Sequence, residues 1–159
     1  MVEAFGMVPF YAVILAVIGL FVCLKSVILV GGTELAVVER RWLGQKMPQG
    51  RVVALADQVG VQARTLGPGL HFVTPFIYKC TKYNIFTIKE GQIGVVEAID
   101  GTPIESGFIF AKRVSGHNLY QNGEAFLQNG GEKGPQIEVL PPGSYRINPF
   151  LFKVSIATA

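Results

Sequence analysis

Hydrophobic positions change their rhythm twice along this chain. The run "VPFYAVILAVIGLFVCLKSVILV" (8–30) is almost wholly apolar and is broken only by Lys25. At 1.5 Å per residue, about 20 helical residues cross a hydrocarbon core of roughly 30 Å. The pattern therefore predicts one membrane-spanning helix over about 8–30, within an anchor region 1–32. Pro9 suits its first turn and Gly31-Gly32 its end. Phe10, Tyr11, Leu15, Leu20, Phe21 and Leu24 would face lipid, and the Lys25 stem would snorkel to the headgroups. A cleaved signal peptide fits poorly, because Glu3 precedes the run and no Lys or Arg does. A buried core helix would need more of a polar face.

From residue 33 the period shortens to two. "ELAVVERRW" (34–42), "RVVALA" (51–56), "GLHFV" (69–73), "CTKYNIFTIK" (80–89), "QIGVVEAI" (92–99) and "GFIFAK" (107–112) read as strands separated by Gly- and Pro-containing turns. "LYQNGEAFLQNGGEKGP" (119–135) predicts one short helix, with Asn122 as N-cap, Glu124 in the first turn and Asn129-Gly130 at the C-terminus.

The β region is written twice. "GVQARTLGPGLHFVTPFIYKC" (60–80) and "GPQIEVLPPGSYRINPFLFKV" (134–154) coincide at eight of 21 positions when offset by 74. "AVVER" (36–40) matches "GVVEA" (94–98) at an offset of 58. Two β-hairpin units, 33–80 and 91–154, are expected within a domain 33–159, the second lengthened in its middle. Pro68-Gly69 and Pro142-Gly143 are expected to close the hairpins as type II turns, with Pro fixing φ and Gly accepting a positive φ. The fold class expected is α+β: one transmembrane helix, then a β-rich domain with a short helix.

Charge refines the picture only a little. The net charge is +3, and every Lys and Arg lies from residue 25 onward. Lys25, Arg40, Arg41 and Lys46 follow the apolar run closely, so the positive-inside rule places the C-terminal domain in the cytoplasm of a single-pass cell-membrane protein. The basic residues are too diffuse to argue for nucleic acid. Arg40, Arg41, Trp42 and Leu43 form a candidate membrane-interface group, although Trp42 fits equally well as a core residue.

Chemistry is sparse. His71 and His117 lack Cys, Asp or Glu partners at metal-like spacing, Cys80 has no sequence-local base, and "GGEKGP" (130–135) lacks the Lys-Ser/Thr ending of a phosphate loop. No catalytic residue, metal site or cofactor is expected. Cys23 and Cys80 are poorly placed for a disulfide.

The stretches "VVERRWLGQKMPQGRVVAL", "GVQARTLGPGLHF" and "GQIGVVEAIDG" resemble the SPFH or band 7 superfamily of stomatins, prohibitins and flotillins. "NLYQNGEAFLQNGGEKGPQIEVLPPGSYRINPFLFKV" (118–154) is similar to its bacterial flotillin-like branch, through Gln121, Gly123, Ala125, Phe126, Leu127, Asn129, Gly130, Gly131, Gly134, Pro135, Gln136, Pro142, Gly143, Tyr145, Asn148 and Phe152. The resemblance implies a non-catalytic, membrane-anchored scaffold that organises membrane proteins or lipid microdomains by oligomerising. Its partners would be the lipid bilayer, further copies, and an NfeD-type membrane protein or a membrane protease. The alternative it implies is a regulatory subunit of a membrane protease or transporter. Superfamily members continue into a long coiled coil, so this chain is expected to be truncated ahead of it or to be a short relative. An exposed sheet edge would then be its remaining means of pairing with another chain.

Overall fold

The structure, a computed structural model, describes residues 3–158, with side chains from Phe10 onward. Helix α1 (Glu3–Ser26) leads into strand β1 (Val27–Val30) and then β2 (Glu34–Arg40), β3 (Gly60–Leu66), β4 (Gly69–Phe72) and β5 (Tyr78–Asn84). Strands β6 (Phe86–Ile88) and β7 (Gln92–Ala98) follow. Helix α2 (Gly123–Gln128), β8 (Gly134–Pro135), β9 (Gly143–Tyr145) and β10 (Phe152–Thr158) complete the chain.

The membrane-spanning helix expected over 8–30 is corrected by these boundaries. The helix stops at Ser26, whose hydroxyl donates back to Val22 O at 2.7 Å. Val27–Val30 instead pairs antiparallel with β4, where its three β-branched residues suit a pleated surface. Residues 8 and 9 of the expected span have side chains outside the described set. Among the described residues, no helix is long and apolar enough to cross a membrane. The anchor role of Phe10, Tyr11, Leu15, Leu20, Phe21, Leu24 and Lys25, the transmembrane part of the fold class and the single-pass cytoplasmic-domain placement fall with it. What remains is a small β-rich domain with two helices.

The two units share one pairing scheme. In the first, β1 pairs with β4, and β2 lies between β3 and β5. In the second, β6 pairs with β9, and β7 lies between β8 and β10. Register repeats as well: Glu39 faces Lys79 and Val30 faces Gly69, while Glu97 faces Lys153 and Ile88 faces Gly143. Gln62 Nε2 donates to Gln58 O at 2.8 Å and Gly60 O at 3.2 Å. Its counterpart, Gln136, donates to Glu132 O at 2.8 Å and Gly134 O at 2.9 Å. Both amides are buried, and in each unit they hold the chain where it enters the third strand.

Neither Pro-Gly pair closes a hairpin. β3 pairs with β2 and β4 with β1, so Pro68-Gly69 turns the chain from one sheet to another. Pro142-Gly143 likewise leads into β9, which pairs with β6. In both units the turn is a corner between two sheets. The segments 51–56 and 107–112 were expected as strands, but each contributes a single parallel bridge, Ala54 with Gln62 and Ala111 with Gln136.

Polar groups from one end of the second unit lock onto one side of the first. Asp100, 1% exposed, accepts the N–H groups of Val52 and Val53 on Oδ2, both at 2.8 Å, and its Oδ1 lies 3.2 Å from Arg51 Nε. Asn148 Nδ2 donates to Gln62 O at 2.9 Å and to Ala63 O at 3.1 Å. Around this joint lies the core, in which Phe126, Tyr120 and Phe152 pack edge to face beside Leu140, Leu151, Val53 and Ala63. Helix α2 forms as the sequence predicts. Asn122 Oδ1 accepts Ala125 N–H at 3.0 Å, and the helix buries Phe126 and Leu127.

Candidate docking surfaces

Three groups of exposed apolar side chains stand out on the β body. The first is a ladder on β1 and β4, where Val27 faces Phe72 and Leu29 faces Leu70. Directly opposed residues project from the same face of a sheet, so these four form one apolar strip. All four are exposed, Phe72 to 76%. Thr87 and Ser144 stand where Leu29 and Leu70 do in the other unit, so the apolar ladder is special to the first.

The second group lies at the end of the first unit, just past β2. Trp42 and Leu43 are 67% and 76% exposed, which settles Trp42 as a surface residue and not core filler. The loop that carries them is held by Arg40. Its guanidinium donates to Leu43 O and, at 3.1 Å, to Asp57 Oδ1. Leu43 is thereby fixed with φ +56°, a left-handed conformation that side chains seldom adopt without compensation. Arg40 is therefore a staple beneath the loop, and of the two arginines expected at an interface only Arg41 is exposed. The Arg41 N–H donates to Ile77 O at 2.8 Å, which brings exposed Phe76 to the same end.

The third group belongs to the second unit. Phe108, Ile109 and Phe110 are exposed beside Ile137 and line a groove of about 740 Å³, with Glu105 and Arg113 among its walls. At its base Lys112 N–H donates to Glu132 Oε2 at 2.8 Å, and Lys112 Nζ lies 3.3 Å from Glu132 Oε1. That backbone hydrogen bond, followed by the Lys112 side chain, holds the Glu132 carboxyl below the usual carboxylate range.

The groups with chemical potential are engaged structurally. His117 is buried; its Nδ1 accepts Tyr120 N–H at 2.9 Å and its ring stacks on Tyr120. His117 Nε2 lies 3.6 Å from Glu138 Oε2. Tyr120 donates to Glu138 O at 3.1 Å, and burial, reinforced by the Glu138 carboxylate, pushes its phenol well above the ordinary tyrosine range. His71 Nε2 lies 2.8 Å from Gly67 O. Burial raises the Cys80 thiol, which disfavours the reactive thiolate. Cys23 and Cys80 are both free. Among the described residues, no three His, Cys, Asp or Glu side chains converge on a common metal position.

The sequence singles out Trp42 and Leu43, which the structure leaves exposed, but not Phe76, the β1–β4 ladder or the Phe108–Phe110 groove. The signal for the last was present: three consecutive large apolar residues do not alternate as a half-buried strand should. No family model, curated protein or solved structure matches the chain.

Proposed function

We propose that this protein is a non-catalytic scaffold of the SPFH type, working by association with copies of itself and by gathering partner proteins at a lipid surface. The observation that carries the reading is the rigid presentation of large apolar side chains in places where a solitary globule gains nothing from them. Leu43 is held outward in a left-handed conformation by the Arg40 staple, and three successive apolar residues line the groove at Phe108. Apolar patches of this kind mark interaction sites. The β1–β4 ladder is the part of the body we assign to lipid headgroups, since its four side chains lie on one face next to the apolar helix. Support also comes from the likeness of 118–154 to flotillin-like sequences.

Crosslinking of this 159-residue chain in lipid vesicles, followed by sizing, tests this reading. A ladder at multiples of 17.2 kDa is the expected result. A fixed pair with one foreign protein would overturn it in favour of a regulatory subunit.

A further inference from the structure

The joint between the two units is heterologous. Asp100 and Asn148, at the end of the second unit, sit on Val52–Val53 and Gln62–Ala63, on the side of the first. Pairing fixes which residues are equivalent. Arg41 N–H donates to Ile77 O in one unit and Ile99 N–H to Leu151 O in the other, so the end carrying Leu43 and Thr74 corresponds to the end carrying Asp100 and Asn148. Ala54 bridges Gln62 as Ala111 bridges Gln136, so the side carrying Val53 and Ala63 corresponds to the side carrying Phe110 and Ile137. A twofold arrangement would place the first end on the second side within one chain. It does not occur, since Leu43 stays 76% exposed, Phe110 52% and Ile137 59%.

One end and one side of the same kind are thus left open, and their chemistry matches. At the closed joint the end offers a carboxylate and an amide, and the side offers backbone groups and an arginine. Gln45 bridges Gln58 as Thr102 bridges Glu132, so in the open set Leu43 replaces Asp100, while Phe110 replaces Val53 and Ile137 replaces Ala63. Trp42 and Phe76 extend the apolar end, and Phe108 and Ile109 extend the apolar side. We propose that the Trp42–Leu43 end of one copy seats in the Phe108–Phe110 groove of the next, continuing between chains the joint made within each. This rests on the scaffold reading and deepens it by naming the partner and both faces. Because the two faces differ, assembly proceeds head to tail, as a ring where the rotation closes and as a filament where it does not.

Two substitutions in the full chain, held in a detergent that covers α1, test the proposal by sedimentation. Leu43→Asp spoils only the end, and Asp tolerates the left-handed backbone there; Ile109→Asp spoils only the groove. Each variant alone should self-associate on the order of 100-fold more weakly than the parent. Mixed one to one, they should form a heterodimer and nothing larger, because one copy keeps a good groove and the other a good end. Unchanged association of either variant, or a mixture that stays monomeric, overturns the proposal. A parent chain that never associates would instead sink the scaffold reading itself. Should a variant fail to fold, oxidised mixtures of Leu43→Cys and Ile109→Cys chains give a second readout. A dimer band absent from either chain alone supports the proposal, and no such band refutes it.

Discussion

Asp100 Oδ2 lies 2.8 Å from the backbone nitrogen of Val53, and the two residues belong to different copies of the internal repeat. One buried carboxylate oxygen thus serves two adjacent N–H groups, with Arg51 on the other oxygen. Asp100→Ala would leave the buried Val53 N–H, the part-buried Val52 N–H and a guanidinium without their acceptor. A loss of about 3 kcal/mol of stability is expected. Asp100→Asn keeps an acceptor oxygen and should cost distinctly less. Denaturant titration of both variants checks the order; equal losses would mean that the oxygen accepting the two N–H groups contributes little beside the charge that faces Arg51.

Glu132 and Gln58 occupy equivalent places, each accepting a backbone N–H through its side-chain oxygen, from Lys112 at 2.8 Å and from Leu55 at 3.1 Å. The Glu132 carboxyl titrates lower in the folded chain than in the unfolded chain, where its ordinary value is 4.5. Its ionised form therefore favours the fold: the contribution is complete above that ordinary value and is lost as pH falls through the lowered folded one. Glu132→Gln copies the residue of the other unit, keeps the acceptor and removes the titration. Thermal melts from pH 6 to pH 3 should show a shallower acid decline in the variant. A parallel decline would remove Glu132 from the account.

Gly101 and Gly44 are equivalent as well, and each lies where a Cβ would fall against a backbone carbonyl of the neighbouring segment. At Gly101, whose φ is +148°, the added carbon would stand 2.5 Å from Gly131 O and 2.8 Å from Lys133 N. Gly101→Ala should lower stability by about 2 kcal/mol or more, read as a fall in denaturant midpoint. A variant that melts with the parent would show that the 131–133 segment can move aside.

Asn122→Ala tests how firmly α2 depends on its cap. With only six residues, the helix has few hydrogen bonds of its own, and a cost of about 1 kcal/mol is expected. Loss of the whole fold would mean that the helix organises the core, where Phe126 is fully buried, more than its length suggests.

Local chemistry was the legible part of this fold. The Asn122 cap, the strands around Val37-Val38 and Val95-Val96, and the matched Gln62 and Gln136 can all be read from short-range pattern. Strand partners cannot, because Pro-Gly looks the same whether it closes a hairpin or turns a corner between sheets. The apolar run past Lys25 was ambiguous for a related reason: Val27–Val30 satisfies a helix or a strand, and β4, at residues 69–72, decides it. Exposure is less legible still. Val53 and Phe110 occupy equivalent places in the two units, yet one is wholly buried and the other half open, because only one has Asp100 upon it.

Mass measurement of this 159-residue chain across a wide concentration range, in a detergent that covers α1, tests the central claim most directly. The account predicts stepwise multiples of 17.2 kDa that grow with concentration. A single species at 17.2 kDa throughout would contradict it.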